Sequence, residues 1–170
     1  MPNASGNAEV QRLMRDAGRN VAMDYGCGGS SADGSLVPTA LKGGYLWYPF
    51  SVPGYGFTSA DRSSYGVSSY ITVVNNLTHR WPVLLEGCAS RKKGWLFFWK
   101  YSTCHEWVCD GYNQTSNRCY GYLQFHMNWG WHEQGLTNDH NGWFAFNNWY
   151  IPGRNLNFQY GQDFTYNIHP

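Results

Sequence analysis

The apolar positions near the start of the chain recur at helical spacing. One face of a helix predicted over residues 7–21 is formed by Val10, Leu13, Met14, Ala17 and Val21. Ser5 or Asn7 can cap this helix, because a short polar side chain satisfies the free amide groups of a first turn. The pattern therefore predicts an amphipathic helix with one apolar face to bury.

Two further helices are predicted before residue 79. A short one begins at Ser35 and is ended by Gly43-Gly44. Another covers residues 68–77, where a β-branched run lowers helix propensity. The aromatic, Pro- and Gly-rich residues 45–57 between them are predicted to form a loop.

From Trp81 onward the chain has the pattern of short strands separated by turns. The strands are predicted at residues 82–86, 95–101, 107–111, 120–127, 142–149 and 164–168. Turn residues within 110–117 predict a hairpin. Helices followed by strands indicate an α+β fold with an antiparallel sheet or half-barrel.

Composition excludes several classes of protein. The 170 residues are 42% hydrophobic and 18% aromatic but only 14% charged, unlike disordered chains, which are charged and poor in aromatic residues. No apolar run reaches the roughly 18 residues that a transmembrane helix needs. The net charge of +1 offers no basic face to follow a phosphate backbone, which argues against nucleic acid as a partner.

The first residues, Met-Pro-Asn-Ala-Ser-Gly-Asn, contain neither a basic start nor an apolar stretch. No signal peptide is therefore predicted. The expectation is either a cytosolic protein or a chain that begins inside a longer one.

The five cysteines form no C-x-x-C pair and no regular disulfide pattern. Cys104 and Cys109 bracket His105, which invites a zinc interpretation. On one strand, however, residues five apart point to opposite faces and lie about 16 Å apart. Neither a zinc site nor a Cys104–Cys109 disulfide is therefore expected, and Cys88, Cys109 and Cys119 are expected to be inert buried thiols.

His105 and a later aromatic motif are the candidates for chemistry. A strand histidine among apolar neighbours is usually structural, bonded to a nearby carbonyl. In the later motif, His126-Met-Asn-Trp-Gly-Trp131, Asn128 can orient an imidazole and Trp129 can shield that contact from water, as in Cys-His-Asn peptidases. The alternative is a tight turn with two packed indoles.

Several motifs occur in one order along nearly the whole chain. They are residues 10–26 with their Met-Asp-Tyr-Gly ending, Gly29-Ser-Ser-Ala32, Arg80-Trp-Pro-Val-Leu-Leu-Glu-Gly87, His105-Glu-Trp-Val-Cys-Asp-Gly-Tyr112, His126-Met-Asn-Trp-Gly-Trp131, Gly142-Trp-Phe144 and Tyr166-Asn-Ile-His-Pro170. Together they resemble the C-terminal part of the streptopain family of papain-like cysteine peptidases. The resemblance implies a papain-like α+β fold, truncated at its N-terminus, with a helical remnant in residues 1–78 and a sheet half in residues 79–170.

The resemblance also implies roles for the matched residues. His105 corresponds to the catalytic histidine that deprotonates a thiol and later protonates the leaving amine. Asn128 corresponds to the residue that orients the imidazole, at about 2.6–3.2 Å, and Trp129 to the indole that covers the pair. Gly29 and Ser30 match a Gly-rich loop that lines the substrate cleft.

Two neighbours of His105 depart from the family pattern of Gly-His-Ala. Cys104 replaces the glycine that allows close substrate approach, so it is expected to crowd the substrate site. Glu106 replaces the alanine, and it would raise the pKa of His105 if it faced the ring. Strand alternation predicts that Glu106 points away.

The resemblance does not place a nucleophile in this chain. In the family, the nucleophilic cysteine precedes every segment matched here and sits at a helix start, where amide groups lower the thiol pKa and bind the oxyanion. No cysteine precedes Cys27, which lies in a loop where relatives can carry an unreactive cysteine. The chain alone is therefore expected not to hydrolyse peptides at a rate typical of the family.

The resemblance thus implies the C-terminal portion of a secreted or cell-envelope cysteine endopeptidase without cofactor or metal. Its expected partners are a polypeptide substrate and an N-terminal segment bearing the nucleophile, with neither nucleic acid nor a membrane. Two alternatives remain open. One is a pseudoenzyme that binds peptides without cleaving them, and the other is a carbohydrate- or cell-wall-binding module suggested by the many aromatic residues.

Overall fold

The computed structural model describes residues 8–27, 29–43, 46–47, 50–51, 56–95, 98–117, 119–131 and 140–170, with the backbone alone for 46–47 and 50–51. The chain divides into two compact units, one of residues 1–60 with 168–170 and the other of residues 61–167. No helix in the described part has the length and hydropathy needed to cross a bilayer.

The first unit contains two helices and two small hairpins. Its elements are α1 (Ala8–Asn20), β1 (Asp24–Gly26), β2 (Gly29–Ser31), α2 (Val37–Lys42), β3 (Leu46–Trp47) and β4 (Phe50–Ser51). Both predicted helices are present, and Asp33 caps the 3-10 turn before α2 by accepting a hydrogen bond from Ser35 N. The predicted loop is wrong at β3 and β4. The predicted caps Ser5 and Asn7 lie outside the described residues.

The second unit is built on a six-stranded sheet. Its elements are β5 (Ser59–Ser64), α3 (Ser69–Thr78), β6 (Val83–Lys93), β7 (Trp99–Ser116), β8 (Gly121–Asn128), β9 (Gly142–Ala145), β10 (Tyr150–Ile151), β11 (Leu156–Asn157) and β12 (Tyr160–His169). The strand order is β5-β12-β6-β7-β8-β9, and the pairs from β12 to β9 are antiparallel. The expected α+β class is confirmed.

The hairpin predicted within residues 110–117 forms at a different turn. Residues 107–111 belong to the long strand β7, and the reversal occurs after Asn117, whose side chain accepts hydrogen bonds from the amides of Cys119 and Tyr120. The Asp110-Gly111 pair instead lies at a register shift between β7 and β8. Its turn-forming residues are used in a β-bulge.

One face of the sheet forms the core of the second unit. It is lined by Val83, Leu85, Trp107, Cys109, Phe125 and Met127, which pack with Val73 of α3 and with Trp149, Ile151 and Phe158. These strand positions alternate along β6, β7 and β8. The same alternation places polar residues on the opposite face.

Helix α3 is joined to β12 by a buried polar side chain. Asn76 is fully buried, its Nδ2 donates to Thr72 O at 2.9 Å, and its Oδ1 accepts from Asn167 N at 2.6 Å. A buried amide with both ends paired stabilises a single packing arrangement. Asn76 therefore sets how α3 lies on the sheet beneath the site described next.

Candidate active site

His105 lies on the core-facing side of β7, directly opposite Gly87 of β6. A Cβ atom at Gly87 would lie 2.6 Å from the Phe158 carbonyl oxygen. Glycine is needed there because any side chain would push that segment away. Phe158 consequently packs close to the histidine, with 5.9 Å between the ring centroids.

The His105 imidazole is held by a main-chain carbonyl. Its Nε2 lies 2.8 Å from Trp129 O, and a carbonyl oxygen can only accept a hydrogen bond. Nε2 must therefore carry the hydrogen, which leaves Nδ1 of the neutral ring with an available lone pair. In this tautomer Nδ1 is the ring nitrogen that can accept a proton.

The turn after β8 fixes the position of that carbonyl. Trp129 N donates to Asn141 Oδ1 at 2.8 Å, and Gly130 N donates to Asn128 Oδ1 at 3.1 Å. Gly130 has a φ of +70°, a conformation that glycine adopts without strain. Two side-chain amides and one glycine thus hold the Trp129 carbonyl against the imidazole.

The expected hydrogen bond between His105 and Asn128 is wrong. Asn128 pairs with Val108 of β7, which is three residues from His105 and therefore projects from the opposite face of the strand. The Asn128 amide oxygen accepts from Gly130 N instead. Asn128 thus acts on the imidazole indirectly, by shaping the turn.

Indole rings surround the imidazole. Trp131 stacks on His105 with 4.7 Å between centroids, while Trp107 and Trp129 lie at 6.2 and 6.4 Å. The Arg154 guanidinium lies 4.3 Å from the Trp131 ring centroid. Trp131 is therefore nearer to the imidazole than Trp129, although the sequence pointed to Trp129 as the covering ring.

Burial among these rings lowers the pKa of His105. Desolvation is the largest cause, the charge of Arg154 acts in the same direction, and the hydrogen bond to the Trp129 carbonyl partly opposes them. The lowered pKa favours the neutral ring near pH 7. A neutral imidazole with its hydrogen on Nε2 can accept a proton at Nδ1.

Glu106 faces away from the imidazole, as predicted. It pairs with Glu86 across β6 and β7, and its Oε1 lies 3.9 Å from Arg62 Nη1. Arg62 also forms ion pairs with Glu86 and Asp163. Desolvation and, to a lesser extent, the charge of Glu86 raise the pKa of Glu106 to about 7.

Cys88, Cys104 and Cys119 differ from the sequence expectation, and Cys119 does so because its thiol is exposed and not buried. Cys88 and Cys104 form a disulfide across β6 and β7, so Cys88 is not an inert thiol. Cys104 lies on the same face of β7 as Glu106, because alternate strand residues share a face. Its side chain therefore points away from His105, contrary to the prediction that it crowds the site there. The expected absence of a Cys104–Cys109 disulfide is confirmed, and Cys109 is a free buried thiol.

The predicted substrate loop lies in the other compact unit. Gly29 and Ser30 are exposed in β2, where Ser30 pairs with Tyr25 of β1. Gly29 has a φ of +145°. Their role in substrate binding stays a prediction.

Sequence reasoning missed the residues that hold this site together. Trp131 was visible in the motif, but only as one of two indoles. Asn141, Arg154 and Phe158 gave no signal, because each reaches the site from a separate part of the chain.

A protein-family model described as the Peptidase C10 family matches residues 2–144. The chain belongs to this family. A comparison with curated proteins finds no match. Membership in the C10 family supports a relation to cysteine peptidases, which gives His105 and its carbonyl partner a chemical context.

Proposed function

We propose that this C10-family chain supplies the histidine side of a papain-like cysteine-peptidase active site that acts on polypeptides. The observation that supports the proposal best is the Nε2–Trp129 O hydrogen bond at 2.8 Å. That bond orients the ring and leaves Nδ1 available as a base. A buried structural histidine can share these features, so the match to the Peptidase C10 family over residues 2–144 is what favours a catalytic role.

In the proposed reaction, Nδ1 of His105 takes the proton of a cysteine thiol. The thiolate attacks the peptide carbonyl, and the resulting imidazolium protonates the amine as it leaves. Water then hydrolyses the thioester, with the neutral imidazole acting as base. Asn128 and Asn141 are positioning residues in this scheme, because they hold the turn that presents the Trp129 carbonyl.

The thiol is proposed to come from a segment upstream of the matched motifs. In the unit that contains His105, Cys88 and Cys104 are bonded to each other, and burial raises the pKa of Cys109. Cys119 follows the end of β7 at Ser116, about 35 Å from His105 as measured along the strand. Cys27, an exposed thiol of the other unit, is the remaining candidate within the chain.

The Cys88–Cys104 disulfide supports a secreted or cell-envelope location. Disulfides persist in oxidising compartments and are rare in reducing cytosol.

The test is a fluorogenic-peptide assay of the pure chain, with and without a separately prepared upstream segment encoded in the same reading frame. We expect no hydrolysis sensitive to a thiol-directed epoxide from the chain alone. Activity is expected with the segment, and His105→Ala should remove it by at least about 10³-fold. His126→Ala is the matched control, since His126 pairs with Asp110 away from the site, and it should retain activity.

Two results would contradict the proposal. Inhibitor-sensitive cleavage by the chain alone, abolished by Cys27→Ala, would assign the nucleophile to Cys27. Peptide binding without cleavage, even with the upstream segment, would favour the pseudoenzyme. The cysteines near His105, which are bonded or buried, also support that alternative.

A further inference from the structure

The hairpin formed by β6 and β7 extends beyond the six-stranded sheet. The last β6 residue paired with β12 is Cys88, and the first β7 residue paired with β8 is Val108. Within the described residues, positions 90–93 and 99–102 pair only with each other, and Gly94 N donates to Phe98 O near the tip. Residues 90–95 and 98–102 are named the hairpin arm.

The tip of the hairpin arm presents large apolar side chains to solvent. Trp95 is 87% exposed and Phe98 is 73% exposed. Trp99 and Tyr101, farther back, are each nearly half exposed. Exposed apolar side chains grouped on one projection mark an interaction surface.

The shaft of the hairpin arm is cationic. Arg91, Lys92, Lys93 and Lys100 are four of the chain's 12 basic residues, and no acidic residue occurs between Glu86 and Glu106. Lys92 lies directly opposite Lys100, an unfavourable like-charge pair. An anionic partner would relieve that repulsion.

Cation–π contacts join the shaft to the rest of the unit. The Arg91 guanidinium lies 4.4 Å from the Trp99 ring centroid and 4.5 Å from that of Tyr160 in β12. These contacts are expected to stiffen a two-stranded projection, which is marginally stable by itself. The tip is thus held at a defined distance from the sheet.

We propose that the hairpin arm docks on an anionic lipid surface. The apolar tip enters the boundary between headgroups and acyl chains, and the lysines behind it meet headgroup phosphates. Trp95 and Phe98 lie at the tip, beyond all the basic residues of the arm, whereas Lys100 farther back lies between Trp99 and Tyr101. An apolar tip in front of a basic shaft suits the headgroup boundary of an anionic bilayer. The proposal revises the expectation of no membrane partner, since that expectation considered only a spanning helix.

The test is flotation of the full chain with vesicles of phosphatidylcholine alone or of phosphatidylcholine mixed with phosphatidylglycerol. We expect binding to the mixed vesicles that weakens as salt is raised. Lys92→Ser with Lys100→Ser should weaken binding about 10- to 30-fold. Trp95→Ser with Phe98→Ser should weaken it at least about tenfold.

Two control variants match these changes elsewhere on the surface. Arg12→Ser with Arg15→Ser removes the same charge from exposed positions of α1, and Tyr120→Ser with Tyr122→Ser removes exposed rings from another hairpin. Both should bind like the unchanged chain. Circular dichroism checks the fold, and the lipid and salt dependence of the unchanged chain tests the proposal even if one variant misfolds.

Several outcomes would overturn the proposal. They are equal binding to neutral vesicles, an equal loss in the charge control, or absence of vesicle binding by the unchanged chain. Binding of a single-stranded oligonucleotide, an acidic peptide or a second copy of the chain through the arm, without vesicle binding, would assign the arm to that partner. None of these readouts depends on peptide hydrolysis.

Discussion

His105 and Glu106 are neighbours in sequence but lie in opposite environments. The pleat turns His105 toward the indole-lined side of the sheet and Glu106 toward the carboxylates of the other side. Burial disfavours the charged form of both groups, so it lowers the pKa of His105 and raises that of Glu106. The strand thus keeps the candidate base, His105, away from the Glu106 carboxyl group, which would otherwise raise the pKa of the imidazole.

Glu106→Gln should stabilise the protein at pH 8 but not at pH 4. The folded-state pKa of about 7 exceeds the ordinary 4.5, so the unfolded state loses this proton first. Stability therefore falls as pH rises from about 4.5 to about 7. Glutamine removes that loss, which we expect to be on the order of 1–3 kcal/mol.

Urea unfolding at the two pH values measures this difference. Asp110→Asn, a change at an exposed carboxyl group that pairs with His126, controls for the general effect of removing negative charge. A Glu106→Gln variant with the same stability increment at both pH values would contradict the assignment.

At the scale of elements, the β6–β7 pair brings together residues far apart in sequence. The same register places Gly87 beside His105, Glu86 beside Glu106 and Cys88 beside Cys104. These two long strands therefore determine both the histidine's surroundings and the disulfide. Their outer ends form the hairpin arm.

The disulfide predicts a thiol count. In denaturant without reductant, three thiols per chain should react with a thiol reagent, corresponding to Cys27, Cys109 and Cys119. All five should react after reduction. In the native state Cys109 should be protected, because it is fully buried.

Cys88→Ser with Cys104→Ser should leave the denatured count at three and lower the free energy of unfolding. Closing a loop between residues 16 apart stabilises a protein by about 3 kcal/mol in the chain-entropy model. Five reactive thiols in the unchanged chain before reduction would show that the Cys88–Cys104 bond does not form. Cys119→Ser is the matched control, and it should lower the count by one with little effect on stability.

The two compact units differ in how much apolar core they contain. Among the described residues of the first unit, the buried apolar side chains are Ala40, Ala60 and Ile168. The second unit buries several large aromatic rings and several aliphatic side chains. Local stability follows buried apolar contact. We therefore expect the second unit to be more stable than the first.

Hydrogen exchange followed by mass spectrometry tests this difference. The amides of β6, β7 and β8 around Leu85, Trp107 and Phe125 should exchange slowest, and those of α1 should exchange much faster. Trp107→Ala, which leaves a large cavity in the core, should accelerate exchange across these strands. Equal protection of α1 and β7 would contradict the prediction.

Local patterns were enough to predict the helices, most strands and the C10 relationship. Periodicity located α1 because its apolar face repeats every three to four residues. The motif around His105 was enough to select a candidate base, and its role in catalysis stays a prediction. Alternation also predicted correctly that Glu106 faces away, since that rule acts between adjacent residues.

Only the tertiary structure revealed the partners of these residues. The Trp129 carbonyl replaced the Asn128 amide because strand register, and not the motif, decides which group faces the imidazole. Cys88 meets Cys104 through the β6–β7 pairing, and Asn141, Arg154 and Phe158 reach the site from separate segments. Sequence patterns determine what a residue can do, but packing of distant segments determines which groups it contacts and therefore its tautomer, charge and exposure.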